Sequence, residues 1–431
     1  MKLLHSILAL GAAGFIGAAM HASPAAADAV ADFYKNKRVT VYIGYAAGGG
    51  YDRYGRVLAR HMGAFLPGKP SMTPKNMPGA GSIVLSNALY NTLPKDGTAI
   101  GIIGRGVPME PLFGRKGPKF EATKFNWLGS MNNEVSTCVA FHTSGFKTIQ
   151  DAMDREMILA STAQGSDGVD FPLALNNVLG TQFKLITGYP GGATLQLAQE
   201  RGEAHGRCGW SWSSIKATRS HWVKEKKIKV LLQLALKKHP EIDSSVPLVM
   251  DIAKNDRDRK VLRLIFARQI MGRPFLAPPG VPGERVAALR SAFDAMMADS
   301  AFKAMAKKTK LEVEPVSGKE IEDLLKDIYA SSPDIVQAAA DATQRIGKTK
   351  IVKKKIEIMS GNGKVTKTAK GGRKITLNMS GKSKTFGISG SKTKVVTVGG
   401  KKAKRSAIKP GMTCAVKWPE GGKTAKEIAC K

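Results

Sequence analysis

The sequence predicts an α/β protein of two lobes, in which the chain leaves the first lobe, builds the second and returns, followed by a small basic β-rich C-terminal module. Three observations carry this. Extended runs, glycine turns and helix-period runs alternate from residue 39 to residue 345, the pattern of a mostly parallel sheet covered by helices. The alternation is broken by Asn132-Asn133-Glu134 between two extended pieces and then starts afresh, a polar crossing between lobes. Beyond residue 347 the composition changes: 348–431 holds 23 lysines and arginines against three acids, Glu357, Glu420 and Glu427, within a chain of net charge +33. The expected division is 1–27 leader, 28–132 first lobe, 133–238 second lobe, 239–347 return to the first lobe and 348–431 basic module.

The leader begins with Lys2, runs apolar over 7–19 and ends in Ala25-Ala26-Ala27, the small-x-small form of a signal-peptidase site. An exported mature chain starting at Asp28 is the expectation. No later run reaches the roughly 20 apolar residues a membrane span needs.

The first lobe opens with Val39, Val41 and Ile43 alternating as a strand, then Gly48-Gly49-Gly50, then Tyr54, Val57 and Leu58 at helical spacing. Glycines let the backbone take left-handed angles and let a ligand approach closely. Asp52 stands where a helix cap is expected, and the amides of that helix start make a seat for a carboxylate or phosphate. The same device recurs: an extended piece at 72–76, the turn Pro78-Gly79-Ala80-Gly81-Ser82 and a helix over 83–90. After the turn 94–97, a third strand over 98–103 ends in Gly104-Arg105-Gly106. Ligands collect at the carboxyl ends of parallel strands, where these three loops lie.

Extended pieces 126–131 and 135–141 flank the crossing. The second lobe then reads as helix 149–155, strand 157–161, loop 163–170, helix 171–179, strand 183–187, loop 188–192, helix 193–201, strand 205–210, a basic helix and strand 228–236. Helix 256–268, strand 271–276 and helix 284–297 after Pro278-Pro279-Gly280-Val281-Pro282 mark the return, since proline favours helix starts. Strand 311–314 and helices 318–329 and 333–345 complete it. In the tail, short β-like runs at 355–359, 374–379, 394–398 and 413–418 are punctuated by Gly-Asn-Gly, Ser-Gly-Lys and Gly-Gly.

Export favours disulfides over thiol chemistry. Cys414 and Cys430 flank a Pro-Glu-Gly-Gly turn and can bridge locally; Cys138 and Cys208 pair only if their strands are neighbours, and four free buried thiols is the alternative. His61, His142, His205, His221 and His239 are scattered, without metal-ligand spacing. There is no Gly-x-Ser-x-Gly elbow and no Walker loop. No cofactor is expected. An enzyme acting on a small anion is an alternative, as is an envelope protein binding polyanions or a membrane surface through 348–431. Nucleic acid is disfavoured, because Phe386 and Trp418 are the tail's two large aromatics, too few for base stacking.

Five segments in order resemble a known family: Tyr45-Ala46-Ala47-Gly48-Gly49-Gly50-Tyr51-Asp52 with Arg56, Asn76-Met77-Pro78-Gly79-Ala80-Gly81, Pro94-Lys95-Asp96-Gly97, Gly188-Tyr189-Pro190-Gly191-Gly192-Ala193 and Ala277-Pro278-Pro279-Gly280-Val281-Pro282. They are similar to the substrate-binding proteins of tripartite tricarboxylate transporters, the Bug receptors, over roughly 29–345. The resemblance implies a type II periplasmic binding protein, a monomeric, non-enzymatic hinged trap that holds a small carboxylate on the first lobe's glycine loops and presents it to membrane permease subunits. It also implies that the first crossing strand lies beside the second lobe's last strand before the return, placing Cys138 next to Cys208. Departures are Ser82 for a glycine, Thr98 for a tyrosine and the order Tyr189-Pro190, all of which bear on which ligand fits.

Candidate contacts on the first lobe are Tyr45, Ala47, Gly48, Gly49, Gly50 and Asp52, with Gly79, Ala80, Gly81 and Ser82 as a second wall. Arg105 reads as a partner for a distal carboxylate, or equally as an arginine paired with an acid. On the second lobe, Ser166 and Asp167 open a helix, Tyr189 and Gly191 lie in a glycine loop, and Trp210 ends a strand. One of Trp210 and Trp212 is expected in the core and the other against the ligand.

Overall fold

The computed structural model describes residues 24–189, 191–344, 347, 349–354, 357–369, 371–390, 393–397, 399–400, 403–419 and 424–431. The expected leader through residue 23 and Pro190 lie outside these. The described chain begins with helix α1 (Pro24–Tyr34), which spans the expected cleavage point.

In chain order the first lobe holds β1 (Arg38–Ile43), α2 (Gly50–His61), β2 (Ser71–Asn76), α3 (Ile83–Asn91), β3 (Ala99–Ile102) and β4 (Asn126–Ser130). The second holds β5 (Ser136–Phe141), α4 (Ile149–Asp154), β6 (Met157–Ala160), α5 (Asp167–Ala174), β7 (Phe183–Thr187), α6 (Gly192–Glu200), β8 (Gly206–Ser211), α7 (Trp212–Lys224) and β9 (Ile228–Leu234). The return supplies α8 (Asp256–Phe266), β10 (Pro274–Ala277), α9 (Gly283–Ala298), α10 (Ser300–Lys308), β11 (Val316–Ser317), α11 (Gly318–Tyr329) and α12 (Pro333–Gln344).

The first sheet runs β11-β4-β10-β3-β1-β2, with β1 parallel to β2 and β3, and β10 antiparallel to β3 and β4. Helices α2 and α3 make the crossovers that parallel pairing demands. Val39, Val41 and Ile43 are fully buried, and α2 covers them with Tyr54, Val57 and Leu58. At Gly55 a side chain would collide with Ile43, so a small residue lets helix and strand meet. The expected strand at 311–314 is instead an irregular approach to the two-residue β11; Lys310 takes a positive φ there and turns the chain.

The second sheet runs β12-β7-β6-β8-β5-β9. Its edge strand β12 (Ile351–Lys353) lies parallel to β7, pairing with Leu185–Thr187. The basic extension therefore does not begin as a detached module: its first strand completes the second lobe. Lys354 then ion-pairs with Glu203 at 2.6 Å and lies over the Tyr189 ring. Burial would raise the Glu203 carboxyl, but the bonds from Lys354 and Tyr189 hold it below the usual range.

Residues 131–135 make the first crossing. The Glu134 amide donates to Gln269 O, and the Gly272 amide donates to Asn132 O, so outgoing and returning chains are tied together. Cys138 is bridged to Cys208 across neighbouring β5 and β8, and Cys414 to Cys430.

The module is a third sheet of β13 (Ile358–Ala369), β14 (Lys374–Met379), β15 (Lys382–Gly387), β16 (Lys394–Thr397), β17 (Thr413–Pro419) and β18 (Glu427–Cys430), ordered β15-β14-β13-β17-β18-β16. Two strands, β15 and β18, were not expected from sequence. Gly361-Asn362-Gly363, taken as a break, lies inside β13. A side chain at Gly361 would meet Met379, and one at Gly363 the backbone of Asn378; these glycines serve close packing, not a turn. Leu377, Phe386, Val416, Trp418 and Ile428 form the module's own core.

Candidate functional site

The carboxyl ends of β1 and β3 in one lobe face those of β6, β7 and β8 in the other across a cavity of about 100 Å³. Its lining includes Gly49, Ser166 and Gly191, the N-cap residues of α2, α5 and α6. Three helix starts therefore converge on one space, each bringing orphan amides and the positive end of a dipole.

Asp52 is not the cap of α2. The cap is Gly49, in an extended conformation, and Asp52 lies in the first turn, buried. Its Oδ2 accepts from the Gly48 amide at 2.9 Å; its Oδ1 accepts from Arg56 Nε and Asn76 Nδ2, each at 2.8 Å. The same Asn76 amide donates to the Tyr45 carbonyl, and Arg56 donates to Asn76 Oδ1. The carboxylate thus pins both ends of the loop that precedes α2. Burial would raise it, but the bonds from Arg56, Asn76 and Gly48 outweigh burial and hold it below the usual range. Gly48 itself has φ +93°, which favours glycine.

Charge is concentrated in the cavity wall. Arg105 reaches across from the first lobe to Asp167 at 2.6 Å and donates to Ser136 Oγ and Ser211 Oγ, each at 2.9 Å. Arg273 pairs with buried Glu134 at 3.0 Å, donates to Ser213 and Ser214, and stacks on Tyr51 and Tyr54. Arg207, on β8, is different. Its Nε and Nη1 are shut off from solvent and have no hydrogen-bond partner among the described residues; its guanidinium lies 4.9 Å from the Trp210 ring centroid. Burial pushes it down to about 9, with Asp167 pulling it back. Ser161 Oγ, on the same wall, is also buried without a hydrogen-bond partner among the described residues.

Of the residues singled out from sequence, Tyr45, Gly48, Gly49, Gly50, Arg105, Ser166, Asp167, Gly191 and Trp210 line the cavity. Ala47, Asp52, Gly79, Ala80, Gly81, Ser82 and Tyr189 do not. The second glycine turn stands behind Tyr45, whose hydroxyl donates to the Gly81 carbonyl, and Gly81 packs on Gly165 of the other lobe. Arg105 takes the acid-paired role that was its alternative reading. Both tryptophans are buried: Trp210 lines the cavity, while Trp212 packs in a cluster with Trp210 and Trp222. Arg207, Arg273, Ser161 and Ser214 were missed. A lone arginine in a strand carries no motif, but the cluster Arg207-Cys208-Gly209-Trp210-Ser211 at the end of a predicted strand was the available signal.

No family model matches the chain, and no curated protein does. Solved structures do. The periplasmic binding protein BugD is 19% identical, aligned over 72% of this chain and 98% of that one, with a TM-score of 0.56. Rpa4515 of R. palustris, solved with adipate, is 16% identical over 70% and 97% at 0.55. MatC (Rpa3494) from Rhodopseudomonas palustris, with bound malate, is 17% identical over 69% and 99% at 0.54. Over about seven tenths of its length, this chain has the fold of a periplasmic binding protein: two α/β lobes, joined by crossing segments, meeting at a cleft.

Proposed function

We propose that the protein is a periplasmic solute receptor that closes on a small carboxylate and presents it to the membrane subunits of a tripartite tricarboxylate-type transporter. The observation that supports this most is the cavity between the lobes, where three helix starts meet and where Nε and Nη1 of a guanidinium, Arg207, have no hydrogen-bond partner among the described residues. A micromolar receptor needs about 8 kcal/mol of net binding. Helix-end amides, one desolvated cation and an indole wall at Trp210 are the kinds of group that supply it once closure excludes water. Adipate and malate in two proteins of the same fold accord with an anionic guest. The reading includes no catalytic step, and export through the leader is part of it.

The test is transport. Cells lacking the gene lose uptake of the anion that the purified protein binds, and the wild-type gene restores it. Normal uptake in the deletion strain, or turnover of the anion by the purified protein, would count against a receptor.

A further inference from the structure

The receptor reading leaves the guest's charge and size open, and the cavity wall constrains both. Three arginines border it, but two are already committed. Arg105 is held by Asp167, and Arg273 by Glu134, itself buried directly behind it. Asp167 is further occupied by Arg268, 3.5 Å away. The wall and its immediate backing therefore carry Arg105, Arg207, Arg268 and Arg273 against Asp167, Asp170 and Glu134, an excess of one positive charge located on Arg207. A guest with one carboxylate neutralises it. A second carboxylate would meet helix-start amides but no second unpaired guanidinium, so burying it is costlier than burying the first. A guest ammonium would find its one candidate acid, Asp167, already bridged.

Size points the same way. The space between the lobes is small, about 100 Å³, and partly open to solvent, which favours a small guest. Trp210, stacked on Arg207, supplies an apolar wall beside the charge, and Ser161 Oγ, unpartnered on the same lobe, suits an oxygen on the guest's second carbon.

Resting on the receptor reading, we infer that the ligand is a small monocarboxylate, in the class of glycolate, lactate, pyruvate or butyrate, whose carboxylate pairs with Arg207.

The experiment is calorimetric titration of the full mature protein with glycolate, lactate, pyruvate and butyrate, against malate, succinate, adipate, glutamate and inorganic phosphate, repeated on Arg207→Gln and Arg207→Lys. At least one short monocarboxylate is expected to bind at least tenfold more tightly than every diacid, glutamate and phosphate. Arg207→Gln is expected to lose at least 100-fold, with Arg207→Lys in between. Because Nε and Nη1 of Arg207 are buried without a hydrogen-bond partner among the described residues, Arg207→Gln without ligand should melt no lower than wild type, an outcome a merely structural arginine would not give. Malate, adipate, glutamate or phosphate binding as tightly as the best short acid overturns this inference and leaves the receptor reading standing. So does undiminished binding by Arg207→Gln, or a lowered melting temperature of its ligand-free form. Failure of every carboxylate to bind overturns both.

Discussion

Gly50→Ala separates closure of the lobes from folding of either lobe. Gly50 is the first residue of α2, and a Cβ built there falls 2.2 Å from Ser214 Oγ and 3.4 Å from Ser214 Cβ, both in the opposite lobe, and 3.4 Å from Arg273 Nη2 in the returning segment. Real Cβ contacts do not go below 3.0 Å, so the lobes must part by about 0.8 Å at this point, or Ser214 must turn and give up its bond to Arg273. Overpacking of this kind costs about 1–3 kcal/mol, which at 1.4 kcal/mol per decade is a loss of roughly 5- to 140-fold in affinity. The cost falls on the closed form. Within α2 itself, alanine is the better helix former by up to about 1 kcal/mol. Calorimetric titration with the tightest carboxylate should show the loss, while denaturation of the ligand-free lobes shows none. Gly49→Ala is the control, since nothing lies within 4 Å of its Cβ, and it should bind as wild type does. If Gly50→Ala also binds as tightly as wild type, the lobes do not meet at Gly50 and Ser214 when the ligand is held.

Three further outcomes test other parts of the structure. Asp52→Ala leaves the Gly48 amide, Arg56 and Asn76 without their shared acceptor and should destabilise the protein by about 1–3 kcal/mol; a change below roughly 0.5 kcal/mol in urea denaturation would mean that the loop does not depend on this clasp. Glu110 is buried with Asp170, Arg115 and Arg268, and burial, then Asp170, raises its carboxyl to about 8 despite the arginines. The folded chain therefore holds a proton that the unfolded chain releases above its ordinary 4.5, so the stability from Glu110 is full below that pH and is lost as pH rises toward about 8; urea midpoints at several pH values should show this decline in wild type and a flatter profile in Glu110→Gln. Replacing Cys414 and Cys430 by serine opens a bridge spanning 16 residues, worth about 3 kcal/mol by loop entropy; the module should melt lower with carboxylate affinity unchanged, and an equal drop in the lobes would show that module and lobes unfold as one unit.

Much of the fold was legible because periodicity and punctuation agreed. Val39, Val41 and Ile43 before Gly48-Gly49-Gly50, then Tyr54, Val57 and Leu58, could be read as strand, turn and helix, and the structure has β1 and α2 there. The crossing at Asn132-Asn133-Glu134 was legible because polar residues interrupt two buried strands, although nothing local showed that Glu134 would be buried against Arg273. Glycine misled in the module, where Gly361 and Gly363 answer to Met379 and Asn378 on a neighbouring strand, a requirement set by tertiary approach and invisible along the chain. Strand β15, Lys-Ser-Lys-Thr-Phe-Gly, is an exposed edge, where lysines suit solvent and mask the apolar alternation. At the site, the glycine loops could be found by motif, whereas the pairing of Arg105 with Asp167 and the exposure of Arg207 to the cavity depend on the two lobes facing each other. Charge balance in a cleft is a property of the closed fold, and no spacing in the sequence encodes it.

The most direct test of the cleft as a carboxylate trap is the melting temperature of the mature protein in the presence of small carboxylates from two to six carbons. At a concentration of about 100 times its dissociation constant, a ligand that binds the folded state alone adds about 2.7 kcal/mol of stability. At least one of these acids should raise the melting temperature of wild type, and the same acid at that concentration should raise it less in Gly50→Ala. No shift with any of them, or an equal shift in wild type and Gly50→Ala, would contradict a site closed between the lobes.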